Sequence, residues 1–476
     1  MLKNDQTADL SRRKFIGQCC SGVGAMGLLS TLAQLRLMGA VANPANGPVT
    51  AAGALASDYK ALVCLFLAGG NDGNNLIVPI DPAAYQNYAS GRGILALPRS
   101  SLLGVQPKTS DGHSYGLHPA LGELQSLFGQ GRLAVLANVG TLAVPTTRAQ
   151  FLARSVPLPL QLFSHSDQQV QWQSSIPDKP FSSGWGGRVA DLTHAFNANN
   201  SVSMSITLDG QNEFQVGHDV TQFTVNPGGA VALSNPGLAP TIAGIRTKAM
   251  NDLMAAQYGN LFDTAFGAIN RTAISNSDTI SSYLTGPAPF SSAFPATNLG
   301  QQFRTIARLI AAAPQLGLKR QIFFARMGGY DLHGGQIEGT NPLAGAHTAL
   351  LRDVSQSLSA FYNATVELGC ANQVTTFSAS DFGRSFNTNG DGSDHGWGNH
   401  HLVVGGAVQG GDIYGRMPEW QIDGPDDTGH GRWIPTTSVD EYSATLARWF
   451  GVSATDLPVV FPNLGRFAKP NLGFLG

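Results

Sequence analysis

Charge is scarce in this chain: Asp, Glu, Lys and Arg make up 13% of 476 residues, about half the usual share for a soluble protein. The formal net charge is −2, so no basic field exists to draw nucleic acid or anionic lipid, and neither partner class is favoured. Cysteine is equally sparse. Of four residues, Cys19 and Cys20 fall near the N-terminus, and Cys64 and Cys370 sit in apolar contexts that read as buried free thiols. The spacings of zinc fingers and haem attachment are missing, and with no fixed-period repeat a solenoid or propeller is disfavoured. No segment after the N-terminal region has the apolar length of a membrane span. Glycine is what abounds, at 57 residues, which implies many turns and a surface of Ser, Thr, Asn and Gln.

The N-terminus has the order of a secretory signal. Ser11-Arg12-Arg13-Lys14-Phe15-Ile16-Gly17 sets two arginines before an uncharged stretch from Phe15 to Leu35, and the small-residue triplet Ala40-Val41-Ala42 follows. The arginine pair with Phe two residues on resembles the twin-arginine form, whose translocase carries folded cargo. The expected location is therefore periplasmic or secreted. The competing reading is a membrane anchor, but Gly17, Gln18, Ser21, Gly22, Gly24, Gly27 and Gln34 leave the stretch poorly apolar, so no stable anchor is expected. Residues 1–42 read as the leader, 43–58 as a flexible tether, and 59–476 as a single domain with an insertion around 199–300.

Within the domain, Lys60–Leu67 is a continuous apolar run, the mark of a strand buried on both faces. Similar runs recur at Leu133–Val139, Gln321–Met327, Val374–Ser378 and His401–Val404. Helix-like segments lie between them at Pro119–Gly129, Ile242–Ile269, Gln301–Ala312, Gly345–Leu368 and Val439–Phe450. Buried strands alternating with helices predict an α/β layered sheet. Residues 199–240 alternate in polarity and then become turn-rich, so a peripheral antiparallel ribbon or cap is expected there.

Four polar clusters follow buried strands or open glycine-rich turns, where ligands gather in an open α/β sheet. In Gly69-Gly70-Asn71-Asp72, the glycines permit close approach and Asp72 offers a hard oxygen; the plain alternative is a capped turn. Ser164-His165-Ser166-Asp167, followed by Gly184-Trp185-Gly186-Gly187-Arg188, could furnish a nucleophile and a ligand, or merely a helix cap. In Gly328-Gly329-Tyr330-Asp331-Leu332-His333, residues two apart on extended backbone point to one side, so Asp331 and His333 can converge on an ion. Lastly, Ser380-Asp381-Phe382-Gly383-Arg384 and Asp394-His395-Gly396-Trp397-Gly398-Asn399-His400-His401 combine carboxylate, imidazole and guanidinium. Arg384 would suit an anionic substrate. Together Asp72, Asp331, His333, Asp381, Asp394 and His395 form a mixed set able to hold one or two divalent ions, which suggests metal-assisted hydrolysis or group transfer.

The ordered motifs, with Tyr115-Gly116-Leu117-His118-Pro119-Ala120-Leu121 added, resemble the bacterial family called domain of unknown function 1501 over essentially the whole chain. That family is similar to the alkaline phosphatase and sulfatase superfamily. The resemblance implies a three-layer α/β/α sandwich with a central, mostly parallel sheet and metals at its carboxyl edge. It implies one or two divalent ions, whether zinc, calcium, magnesium or manganese. Asp72 resembles a first-strand ligand, Asp331 and His333 resemble an Asp and His on one metal, and Asp381 resembles a later strand-end ligand. Phe382 stands where many relatives place histidine, and His395 is the candidate replacement. Ser164 is the preferred nucleophile and Ser166 the second, with His165 beside them, because this region looks like the nucleophile-bearing segment of the mutase branch. Asn71, His118, Arg188, Arg384 and His400 are the candidate contacts to a small anionic ester. The implied activity is an exported metal-dependent hydrolase of phosphate or sulfate esters. The alternative is a non-catalytic metal-binding or assembly protein on the same fold, which the Phe382 substitution favours.

Overall fold

The computed structural model describes residues 55–199, 202–226, 229–230, 241–256 and 258–476. The leader and most of the expected tether lie outside these. In chain order the strands are β1 (Lys60–Leu67), β2 (Ile77–Pro79), β3 (Leu103–Val105), β4 (Tyr115–Leu117) and β5 (Leu133–Gly140). There follow β6 (Ser205–Thr207), β7 (Phe223–Asn226), β8 (Gly229–Ala230), β9 (Arg320–Met327) and β10 (Val374–Ser380). Last come β11 (Arg384–Thr388), β12 (Ser393–His395), β13 (Asn399–Gly405), β14 (Asp412–Gly415) and β15 (Thr437–Ser438).

Ten strands form the central sheet in the order β14-β5-β13-β10-β1-β9-β6-β7-β8, with β15 also on β5. The pairings β10–β1, β1–β9, β9–β6, β6–β7, β14–β5 and β15–β5 are parallel. β13 runs against both neighbours. Every residue of β5, β10 and β13 is buried, as are all but the first of β1. That explains why β1 reads as an unbroken apolar run and why charged side chains are missing from β5, β10 and β13. Helices Gly122–Gly129, Asn298–Ala311 and Ala346–Glu367 pack together on one face of the sheet; His165–Ser174, Trp185–Thr193, Val439–Phe450 and Leu457–Val460 cover the other. The architecture is thus a mixed α/β sandwich with a mostly parallel sheet.

Helix ends follow their caps. Ser438 accepts from the Glu441 amide while Glu441 reaches back to the Ser438 amide, a reciprocal box that starts the Val439–Phe450 helix where its pattern begins. Thr297 caps the helix from Asn298 through the Gly300 amide, three residues before the apolar pattern alone suggests. The helix expected over Ile242–Ile269 is two, Ile242–Ala255 and Leu261–Thr285. Ala256 is extended and the Asn260 side chain accepts from the Phe262 amide, chemistry that ends one helix and starts another.

Of the segment 199–240, where an antiparallel ribbon or cap is expected, residues 200–201, 227–228 and 231–240 lie outside the described residues, and the described ones divide in their pairing. β6 joins the central sheet parallel to β9, and β7 lies parallel to β6. Within the described part of that segment, antiparallel pairing is confined to β7 with β8. The three buried residues of β6 complete the sheet instead of facing solvent, which the alternation of polarity could not reveal. Small antiparallel sheets occur elsewhere, as β2-β4-β3 and β11-β12. Cys64 and Cys370 are free and buried, and burial pushes both thiols up. No described helix is long and apolar enough to cross a membrane. The described residues fall into two units, one of 241–256 with 258–273 and the other of the rest. The described polar clusters all belong to the latter.

Candidate metal centre

Register brings the polar loops to one level. Leu67 at the end of β1 pairs with Met327 of β9 and Ser380 of β10, so the segments bearing Gly69–Asp72, Asp331–His333 and Asp381 leave the sheet side by side. β13 runs the other way and begins where its neighbours end. His395, just before it, therefore reaches the same edge.

Four side chains meet there. Asp331 Oδ1 lies 3.1 Å from His333 Nε2 and 3.4 Å from Nε2 of both His165 and His395. The Nε2 atoms of His333 and His395 are 2.9 Å apart. Each ring is held from behind through Nδ1: His165 by Asp381 Oδ2 at 2.6 Å, His333 by Asp394 Oδ1 at 3.1 Å, and His395 by the Phe163 carbonyl at 2.6 Å. Carboxylate and carbonyl oxygens only accept, so each Nδ1 carries a proton, and a ring in its neutral form then turns an Nε2 lone pair inward. The His165 Nε2 atom is buried and has no hydrogen-bond partner. Ligand atoms of His165, Asp331 and His395 all lie within 4.8 Å of one another. Imidazoles oriented by carboxylates and carbonyls are the usual metal-binding arrangement, and the residues fit a divalent ion.

Local structure explains the loops. Gly69 has φ +115°, and a Cβ there would fall 2.3 Å from the Asp331 amide nitrogen; at Gly70, φ +83°, it would fall 2.6 Å from the Phe382 ring. Only glycine lets the β1 loop lie against the backbone that carries Asp331. Phe382 packs on the rings of His165 and His395, with centroids 4.8 and 4.7 Å away, and gives them an apolar backing. Phe163 holds φ +73°, a costly conformation for an aromatic residue, and its carbonyl is the one that fixes His395.

The electrostatics match this order. Burial pushes Asp331 up, but the Arg384 hydrogen bond and the nearby imidazoles outweigh it and hold the carboxyl below its usual range. The Asp381 hydrogen bond raises His165, whereas burial lowers His395. Asp331 and His333 are about half exposed, at 50% and 47%, so the cluster opens to solvent.

The other residues singled out in the sequence lie around this cluster in different roles. Asp72 is buried and ion-paired with Arg92, and Gln336 and Asn74 also donate to it. Asp381 takes Gly69 N and Gln169 Nε2 besides His165. Asp394 takes Asn389 as well as His333. Arg384, 1% exposed, donates to Asp331, Gly69 O and Ser393 O, and Arg188 donates to Val460 O, Ser183 and Ser174 O. Asn71 accepts from His347, His118 accepts from the Ala120 amide and His400 from the Asn138 amide; all three are buried. Ser164 sits at the N-cap of the His165–Ser174 helix yet its hydroxyl donates to Asp167 Oδ2 at 2.6 Å, with Ser166 Oγ 3.2 Å away.

In the sequence His165 stands with the serines, and Arg92, Gln169, Gln336 and His347 carry no mark of a site role. The Ser-His-Ser-Asp segment was the available signal for His165. Nothing local marks Arg92 as the partner of Asp72.

The buried histidines make a pH prediction. Burial lowers His347 and His400 to about 4, and His118 and His401 to about 3, against about 6.5 in an unfolded chain. Below 6.5 the unfolded chain takes up protons that the folded one refuses, so their stabilisation is complete above 6.5 and drains away as pH falls toward 4. Thermal unfolding followed from pH 7.5 to 4.5 is expected to show a steady fall in Tm; a flat profile contradicts the burial of neutral imidazoles.

The family model described as "Protein of unknown function (DUF1501)" matches residues 59–430. No curated protein matches the chain. The structure is similar to that of PsFucS1 sulfatase from Pseudoalteromonas sp., with a TM-score of 0.34 and 11% identity over 83% of this chain and 68% of that one. It is similar to Ps i-CgsB in complex with k-i-k-neocarrahexaose, with a TM-score of 0.35 and 10% identity over 86% and 77%. It is also similar to the phosphonate monoester hydrolase of Agrobacterium radiobacter, with a TM-score of 0.26 and 10% identity over 82% and 74%.

Proposed function

We propose, for a chain that belongs to the family described as Protein of unknown function (DUF1501), that it is a metal-dependent hydrolase of small phosphate or sulfate esters. The observation that carries this reading is the convergence of three imidazole Nε2 atoms on Asp331 at a solvent-open sheet edge. A divalent ion held there supplies a Lewis acid for ester oxygens and a means of acidifying water. The chain's own residues do the rest. Ser164 is the nucleophile of this reading, its proton already directed at Asp167. Asp381 and Asp394 keep the imidazoles oriented.

An ester of this class is an anion, and Arg188 and Arg384 are already engaged with protein acceptors. Arg432 is the cation we assign to the substrate. Its guanidinium lies over the Phe163 ring, 4.7 Å from the centroid, and its Nε has no partner. Burial raises Asp394, and the bonds from Asn389 and His333, with the charges of His333 and Arg432, hold it low.

The test is a panel of phosphate and sulfate monoesters offered to the purified protein with zinc, calcium or manganese, with and without chelator. Chelator-sensitive hydrolysis of at least one ester is expected, and no turnover with any of the three metals would end this reading. Ser164→Ala together with Ser166→Ala decides the nucleophile: unchanged turnover would remove serine from the role. Arg432→Ala is expected to raise KM about 10-fold or more with metal content unchanged, as loss of a charged hydrogen bond implies. A KM like that of the parent would return the anion to another residue. The twin-arginine leader puts the reaction outside the cytoplasm in this reading, and fractionation that finds the mature chain only in the cytoplasm would contradict it.

A further inference from the structure

We infer that the cluster binds one transition-metal ion of zinc's kind, with His165, Asp331, His333 and His395 as its four protein ligands. Asp381, Asp394 and the Phe163 carbonyl hold the imidazoles and do not touch the ion. This deepens the hydrolase reading by naming the metal class and count for the same site, and it departs from a two-ion set built on Asp72 and Asp381.

Three observations carry it. The Nε2 atoms of His333 and His395 are 2.9 Å apart while each ring's Nδ1 faces an acceptor. In their neutral form two rings so fixed oppose lone pair to lone pair, which a cation between them relieves. Four of the six separations among these donor atoms run from 2.9 to 3.4 Å. Donors about 2.0–2.1 Å from a tetrahedral ion stand roughly 3.3 Å apart. His165 Nε2, a buried atom with no well-formed hydrogen bond, faces the same Asp331 oxygen at 3.4 Å.

Donor chemistry selects the metal. Three imidazoles and one carboxylate suit zinc and its transition-metal neighbours, whereas calcium and magnesium take all-oxygen shells. Two acids that a second ion would need are engaged elsewhere: Asp72 is taken by Arg92, Gln336 and Asn74. Both Asp381 oxygens are taken too, by Gly69, His165 and Gln169.

The full chain, stripped with chelator, is titrated with zinc and separately with calcium, and stoichiometry is read by elemental analysis. One zinc per chain is expected, not displaced by a hundredfold excess of calcium. His165→Ala and the more exposed His333→Ala should each lose tight binding, so that a folding defect in one leaves the other informative. Asp381→Asn and Asp394→Asn should weaken zinc about 10–100-fold without changing the stoichiometry at saturation, and Asp72→Asn should keep it tight. Cobalt in place of zinc should give the intense visible bands of a four-coordinate site. Two ions per chain, parental affinity in both histidine variants, or displacement by calcium overturns the inference. So does failure to bind any ion, which would make the His333–His395 contact an imidazolium–imidazole hydrogen bond. Zinc bound as described in a protein that cleaves no ester would instead remove the hydrolase reading and leave this one standing.

Discussion

Arg92→Met is expected to cost about 3–5 kcal/mol of stability. Arg92 is wholly buried, and its guanidinium serves the Asp72 carboxylate, Asn75, and the carbonyls of Ser385 and Phe386. The methionine removes every one of those donors while leaving a buried carboxylate behind. Burial acts to raise Asp72, yet Arg92, His347, Gln336 and Asn74 together bring it below its ordinary value. Without Arg92 the balance turns against the charged form, and Asp72 must be desolvated as an anion or take up a proton. Equilibrium urea unfolding is the measurement, with a Tm loss of roughly 10 °C as its thermal counterpart. Asp72→Asn combined with Arg92→Met should recover part of the loss, because the uncompensated charge is gone. Equal stability of Arg92→Met and the parent would show that the pair contributes nothing.

Asp331→Asn is the second, and its effect falls on the site instead of the fold. The amide keeps an oxygen for Arg384, whose buried guanidinium would be stranded by alanine, so the protein should fold. It removes the negative charge around which three imidazoles gather. Loss of bound metal is expected, with ester hydrolysis down on the order of 10²–10³-fold or more. Metal analysis and turnover are read on the same preparation. Full metal content with full activity would exclude Asp331 from the centre, while full metal with lost activity would assign it to the substrate.

Much of the fold is legible in the sequence because burial leaves a local trace. Lys60–Leu67 and Val439–Phe450 read with their observed bounds, the first as an apolar run and the second as a helix-like segment, to which the structure adds the capping box. The paired glycines at 69 and 70 announce a close approach, and the structure shows what is approached, the Asp331 amide and the Phe382 ring. Residues 199–240 were harder, since β6 is three residues long and its pairing with β9 crosses a long stretch of chain.

What the residues determined by themselves was the α/β order of elements, the burial of both thiols, and that carboxylates and imidazoles follow the strands. Tertiary structure alone decided which of them face one another. Asp72 and Asp331 are both strand-end aspartates in glycine-rich loops. One is closed in by an arginine 20 positions away, and the other is left half exposed among three histidines. His165 and Asp381 stand 216 positions apart and meet because two loops leave one sheet edge at one level. The physical reason is distance. Whether a carboxylate binds an ion, pairs with a guanidinium or orients an imidazole is settled within about 3 Å and by how dry the site is, and neither quantity is written in local sequence.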